Sequence, residues 1–231
     1  MFNLLSSPEA TLTRRAALLA GSIGAAAFLA GLLVLISPAE TRAQAPLKPD
    51  VDLSELMKPG DLPENVMGKD DAPYTIIEYS SMTCPHCAHF HNTVLPELKK
   101  KYIDTGKARY IIREFPLDNV AAAAALLARC VDKPKYFDFV NLLYGNQDEW
   151  AFKNNPIPAL QKFSKQVGFT EQRFNECLKD EKVLKYIESV RDRANTKFDV
   201  HATPTFFVNG HKLQGADLAD FDKIMGADGK S

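Results

Sequence analysis

Two cysteines separated by two residues, Cys84-Pro85-His86-Cys87, constrain this chain more than any other stretch. They follow the β-branched and aromatic run Tyr74–Ser80 and lead into Ala88–Tyr102, where Val94, Leu95, Leu98 and Tyr102 recur with helical spacing. The run reads as a buried strand and the next segment as a helix over Cys84–Lys101, which Pro96 should kink by removing one ladder bond. A C-x-x-C pair at a strand-to-helix junction carries one of two chemistries: a redox dithiol, or half of a zinc site.

The spacing argues against zinc. Cys84, Cys87 and His91 share one helix face, with His86 and His89 close by, but structural zinc calls for four ligands, often from a second close pair. Cys130 and Cys177 lie 47 positions apart and supply none. No metal is expected, and His89 and His91 read as solvated helix residues. As the first residue of a helix, Cys84 faces unpaired backbone N–H groups and the positive end of the dipole, and Pro85 costs nothing at that position. A helix terminus contributes about 0.3–1 kcal/mol, up to about 2 when partly buried, and one pKa unit is about 1.36 kcal/mol, so the dipole alone lowers a thiol by about one unit. A charged His86 and donors from Cys87 would be needed for more. A stabilised thiolate favours the dithiol and makes the disulfide form an oxidant. Glu78, six residues before Cys84 in an apolar strand, is either exposed on an edge strand or, in a central strand, a desolvated carboxylate able to relay a proton to or from Cys87.

The rest of the chain supplies a fold around the pair. Ala108–Phe115 is a second strand closed by Pro116, giving a β-α-β unit with a parallel crossover. Consecutive helical patterns then occupy about 80 residues: Val120–Val131, capped by Asp118 or Asn119, then Tyr136–Gly145, Pro158–Gly168, Thr170–Lys179 and Glu181–Phe198. The chain returns to sheet with Thr205–Val208, a turn at Asn209-Gly210 and a partner strand His211–Gln214, and closes with a helix over Asp217–Met225. The expected class is α/β: a thioredoxin fold in two parts, 74–118 and 199–231, around an inserted helical subdomain, 119–198. Thr203-Pro204 reads as trans, since an X-Pro bond is cis in only about 5–6% of cases. Cys130 and Cys177 are either a structural disulfide, closing a loop for which chain entropy allows at most about 4 kcal/mol, or two buried free thiols. An oxidising compartment favours the bridge.

The N-terminus reads as an address. Residues 16–36 carry no charge, Arg14-Arg15 precede them and Ala43-Gln44-Ala45 follows. Residues 1–45 are thus a cleaved export signal or a retained membrane anchor, and Thr13-Arg14-Arg15 leaves open the twin-arginine or the general export route. Both readings place the folded part outside the cytoplasm, in the periplasm. Residues 46–73, polar and Pro-containing, read as a linker with a short edge strand near Glu64–Met67. The chain has 28 basic and 29 acidic residues; without 1–45 the balance is 25 against 27. That near-neutrality gives no electrostatic case for nucleic acid.

From about Gly68 to Gln214 the ordered motifs Asp71-Ala72-Pro73, Ile76-Ile77-Glu78-Tyr79, Cys84-Pro85-His86-Cys87, Arg113-Glu114-Phe115-Pro116-Leu117 and Ala202-Thr203-Pro204-Thr205-Phe206 resemble the exported DsbA-like thiol:disulfide oxidoreductases of the thioredoxin superfamily. The resemblance implies that Cys84 is the nucleophile, Cys87 the buried second cysteine and Glu78 the acid beneath them. It implies that Pro204 is a cis-proline facing the disulfide, and that Thr203 is the residue whose backbone pairs with substrate. Several members carry Val in place of Thr203, which leaves substrate or partner preference open. No cofactor beyond the dithiol is implied. The implied partners are reduced exported proteins and a DsbB-type membrane reoxidant, and the implied state is a monomer, since the 28 residues between Ala45 and Tyr74 are too few for the dimerisation domain of an isomerase. The alternatives are a periplasmic reductase or isomerase and a metal-binding or chaperone-like exported module.

Overall fold

The run Tyr74–Ser80 forms the central strand of a five-stranded sheet. The computed structural model describes residues 49–227; the export signal, anchor and cleavage site expected within 1–45 lie outside the described residues. In chain order the elements are α1 (Leu53–Leu56), β1 (Asn65–Met67), β2 (Tyr74–Ser80), α2 (Pro85–His89), α3 (Leu95–Leu98), β3 (Ala108–Glu114), α4 (Asn119–Cys130), α5 (Tyr136–Gly145), α6 (Gln147–Trp150), α7 (Ile157–Gln166), α8 (Glu171–Cys177), α9 (Glu181–Phe198), β4 (Thr205–Val208), β5 (His211–Lys212) and α10 (Leu218–Ala227). The strands lie in the order β1-β3-β2-β4-β5. β3 is parallel to β2, and the other three pairings are antiparallel.

A parallel pair needs a crossover connection, here the long helix built from α2 and α3. Period-two alternation along the strands divides the core into layers. Ile76, Tyr110, Ile112, Phe206 and Val208 pack with Phe90 and Leu98 of the crossover, Phe139 and Leu143 of α5 and Phe221 of α10. Ile77, Tyr79, Ile111 and Phe207 face the other way, against Ala194 and Phe198 of α9 and Leu56 of α1. Burying a large apolar side chain contributes about 1.5–3 kcal/mol, so both faces of β2 and β3 are held.

The crossover helix departs from the expected kink at Pro96. Between α2 and α3 it makes a π turn, Phe90–Val94, and a second, Lys99–Ile103, follows α3. The Leu95 N–H reaches back to the Phe90 carbonyl. Opening the ladder by one residue just before Pro96 makes room for a ring that would otherwise meet the carbonyl four residues earlier.

The lead-in is no mere linker over its described part. Asp52 caps α1, its Oδ1 accepting from the Ser54 N–H at 2.8 Å, and Leu56 is buried beneath the sheet. β1 pairs with β3 as the sheet edge. β1 is the short edge strand expected near Glu64–Met67, whereas α1, four residues long, is too short for a periodic signal. For the same reason α6, four residues, has no counterpart among the sequence expectations. At the β4–β5 turn Asn209 (φ 48°) and Gly210 (φ 86°) are both left-handed, as a two-residue hairpin requires.

Two cross-links tie the helical insertion together and to the sheet. Cys130 and Cys177, the last residues of α4 and α8, are joined by a disulfide (S–S 2.15 Å). Arg129 grips the buried Glu114 at the end of β3 with Nε to Oε1 (2.7 Å) and Nη2 to Oε2 (2.8 Å), and the Tyr136 hydroxyl donates to Oε1 at 3.0 Å. Among the described residues no helix is long and apolar enough to cross a membrane. Removing one partner of a buried ion pair strands the other, at about 3–5 kcal/mol. Arg129→Met should therefore lower unfolding stability by about that amount, and adding Glu114→Gln should recover part of it, as measured by urea denaturation.

Candidate active site

The strand β2 ends at Ser80, and the loop Ser81–Thr83 turns the chain into α2, of which Cys84 is the N-cap and Pro85 the first residue. The loop is held from several sides. The Cys84 N–H bonds the Ser81 carbonyl at 3.0 Å. Thr83 Oγ1 donates to Asp118 Oδ2 at 2.7 Å, while the other oxygen of Asp118 caps α4. The buried Gln147 amide donates to the carbonyls of Met82 (2.9 Å) and Cys84 (3.0 Å), and the Tyr144 hydroxyl donates to that of Ser81 (3.2 Å). Asp118 caps α4 as the sequence suggested, but its hold on the loop, and those of Tyr144 and Gln147, were missed, because nothing local links them to a loop 35 to 65 positions away.

Both cysteines are free thiols in this structure. Cys84 is 5% exposed and Cys87 wholly buried. The Thr203–Pro204 peptide is cis, against the general preference for trans, and the Thr203 carbonyl accepts from Cys84 Sγ at 3.2 Å. The two sulfurs are treated oppositely. Hydrogen bonding from the Cys87 thiol, then from Thr203 and the backbone N–H groups of Cys87 and His86, outweighs burial and brings Cys84 down to about 5. Burial first, then the hydrogen bond to Cys84 and the charge of Glu78, push Cys87 well above the ordinary thiol range. His86 is exposed, and it is its backbone N–H that counts among the principal influences on Cys84.

Beneath the cysteines Glu78 is fully buried, as a central-strand position dictates. Its carboxylate accepts from Ser80 Oγ (2.6 Å), from the Tyr110 hydroxyl and from His91 Nε2 (3.1 Å). His91 corrects the expectation of a solvated residue. It is 4% exposed, its ring stacks on Tyr144 with centroids 4.3 Å apart, and Nδ1 lies 3.2 Å from Asn141 Oδ1. The sequence signal for it was its place four residues after Cys87, one turn along the same helix. His89, by contrast, is exposed. Among the described residues no group of His, Cys, Asp and Glu is arranged to hold a metal ion.

Comparisons with known proteins agree with this geometry. Residues 61–226 match the family model described as Thioredoxin. A Rickettsia bellii protein named "Putative protein-disulfide oxidoreductase" is 36% identical over 190 residues, 80% of this chain and 71% of its own length. The matched stretch spans from 52% to 71% of the length of the Rickettsia relatives. Among solved structures, α-DsbA1 of Wolbachia pipientis superposes with a TM-score of 0.69 at 34% identity, covering 76% of this chain and 94% of that one. Oxidised BdbD of Bacillus subtilis gives 0.66 at 26%, covering 73% and 94%. The chain belongs to the thioredoxin family and, within it, to the DsbA-like thiol:disulfide oxidoreductases. Its thioredoxin fold carries a helical insertion, and its chemistry is thiol–disulfide exchange.

Two measurements test the electrostatics. Alkylation of Cys84 by iodoacetamide should titrate with a midpoint at about 5, and Cys87→Ala, which removes the strongest influence, should move that midpoint upward. For stability, a thiol lowered in the folded state contributes fully above its unfolded pKa, about 8.5, and loses that contribution as pH falls through about 5. Cys87, raised in the folded state, works against stability only above the unfolded value. The melting temperature of the reduced protein should therefore rise relative to the oxidised protein between pH 5 and 8.5.

Proposed function

We propose that the protein is a dithiol oxidase of the cell envelope, donating the Cys84–Cys87 disulfide to thiol pairs in exported proteins. The observation that carries this reading is the opposite treatment of the two sulfurs, which favours the dithiol as Cys84 thiolate and Cys87 thiol. A dithiol stabilised in this way makes its disulfide a strong oxidant. The uncharged stretch 16–36 behind Arg14-Arg15 supports export, and the near-neutral charge suits varied clients.

The exchange proceeds in two attacks. A substrate thiolate attacks Cys84 Sγ; the Cys84–Cys87 bond breaks, and Cys87 leaves with the electron pair and takes up a proton. A second substrate thiolate then attacks the substrate sulfur of the mixed disulfide, and Cys84 leaves as a thiolate. The substrate gains one disulfide and the enzyme holds two electrons more. Thr203, whose carbonyl lies against Cys84 beside the cis-proline Pro204, supplies backbone for an extended substrate segment. A membrane-embedded, quinone-linked reoxidant of the DsbB type would restore the disulfide.

Equilibration in a glutathione buffer series should give a Cys84–Cys87 potential above about −200 mV; a value near that of thioredoxin, about −270 mV, would overturn the oxidase in favour of a reductase. Cys84→Ser should abolish exchange with insulin disulfides, and Cys87→Ser, whose Cys84 thiolate can attack a substrate disulfide but has no second thiol to release it, should trap mixed disulfides with disulfide-bearing substrate proteins on non-reducing gels.

A further inference from the structure

Cys84 is held mostly by backbone. Its N–H reaches the Ser81 carbonyl at 3.0 Å, its carbonyl accepts from the Ala88 N–H at 3.1 Å, and Sγ donates to the Thr203 carbonyl at 3.2 Å. One further bond comes from a side chain 63 positions away. Gln147 Nε2 donates to the Cys84 carbonyl at 3.0 Å and, with its other hydrogen, to the Met82 carbonyl at 2.9 Å. Among the described residues no other side chain donates to the Cys84 backbone. We propose that Gln147 is a positioning residue for thiol–disulfide exchange: clamped on the carbonyls of Met82 and Cys84, its amide fixes the angle at which the chain enters α2 and so sets how strongly the cysteine pair oxidises. The assignment deepens the oxidase reading given above and rests on it.

Satisfying buried carbonyls does not by itself account for this arrangement. The Cys84 carbonyl already has the Ala88 N–H, the bond that begins α2. A carbonyl oxygen has room for a second donor, and two donors together fix the plane of its peptide. That plane has no other handle, because the peptide joins Cys84 to Pro85 and therefore carries no N–H. Its orientation decides where Sγ lies relative to the unpaired N–H groups at the head of α2. A thiolate is stabilised by donors aimed at it, whereas a disulfide sulfur carries no charge and gains little from them. Loosening the plane therefore costs the dithiol form more than the disulfide form, which makes the disulfide a weaker oxidant.

The clamp has a firm base. Gln147 is 6% exposed and opens the short helix α6, on which Trp150 is fully buried, its Nε1 donating to the Leu143 carbonyl of α5 at 2.9 Å. The amide thus ties the active-site loop to the helical insertion. A long, flexible side chain loses its rotamer freedom on burial, a cost that both amide hydrogens offset by meeting inward-turned acceptors. A groove of about 340 Å³, lined by Ala88, Asn92, Tyr144, Gly145 and Asp148 among others, runs beside Gln147. Water entering there can satisfy the two carbonyls once the amide is removed, but a water is not fixed to α6 and holds no angle. Satisfaction and positioning are therefore separable by mutation.

Gln147→Met keeps an unbranched side chain of similar length and removes the donors; Gln147→Ala removes them and admits water. In each, the midpoint for alkylation of Cys84 should rise from about 5 by about one pH unit, a tenfold loss of preference for the thiolate. The potential in a glutathione buffer series at pH 7 should fall by about 30 mV, the same tenfold in the exchange equilibrium. A residue that only filled space would weaken the oxidised and reduced proteins alike and leave the potential unmoved. Asn92→Ala alters another lining residue of the groove, one that bonds the Tyr144 carbonyl and not the loop, and should leave midpoint and potential at their wild-type values. Unchanged midpoint and potential in the Gln147 variants, or an equal shift in Asn92→Ala, would overturn the proposal. Should Gln147→Met fail to fold, Gln147→Ala decides the point by the same two measurements. A wild-type potential near that of thioredoxin would count against the oxidase reading alone, since the role of Gln147 is read from the difference between variant and wild type.

Discussion

The structure depends on keeping a carboxylate where no water reaches. Glu78 sits in the middle of the central strand, and an unpaired ion in such a place costs several kcal/mol. The donors that offset this cost come from three places: Ser80 two residues along β2, Tyr110 on the parallel neighbour β3 and His91 on the helix that crosses between them. The pairing of β2 with β3 and the docking of the crossover helix are therefore conditions for the network as well as consequences of apolar burial. The same charge holds the Cys87 proton in place. A stability cost and a chemical property share one source.

The helical insertion is equally part of the site. Its first residue's cap, Asp118, binds Thr83; α5 contributes Tyr144 and Asn141; α6 contributes Gln147. Gln147 in particular satisfies two loop carbonyls, Met82 and Cys84, that turn inward where the strand gives way to the helix. The insertion is anchored in turn by the buried pair Arg129–Glu114, so the geometry around Cys84 is coupled to packing some distance from it.

Much of this was legible beforehand. The β-branched and aromatic run Tyr74–Ser80, the second strand Ala108–Phe115, the Asn209-Gly210 turn and the helical periodicities of the insertion are local signals, and local sterics decide them. The crossover bend at Pro96 was legible only as a disturbance, because whether a proline kinks a helix or is preceded by a π turn depends on what the neighbouring turn packs against. His91 was misread for a related reason. Histidine is intermediate in its burial, and the partners that bury it lie 13, 19 and 50 positions away. The short helices α1 and α6 carry too few residues for any period to show.

By itself the sequence determined the chemistry-bearing pair and its local setting: a dithiol whose first cysteine sits at the start of a helix and whose second lies one turn inside, behind a strand carrying a lone acid. Those are matters of spacing, helix geometry and the fixed φ of Pro85. Only the tertiary structure decided that Glu78 would be central, that Thr203 would place its carbonyl against Cys84 from 119 positions away, and that Ser80, Tyr110 and His91 would converge on the Glu78 carboxylate. Hydrogen bonds between residues far apart in the chain leave no periodic trace, since each depends on two elements being packed in one register.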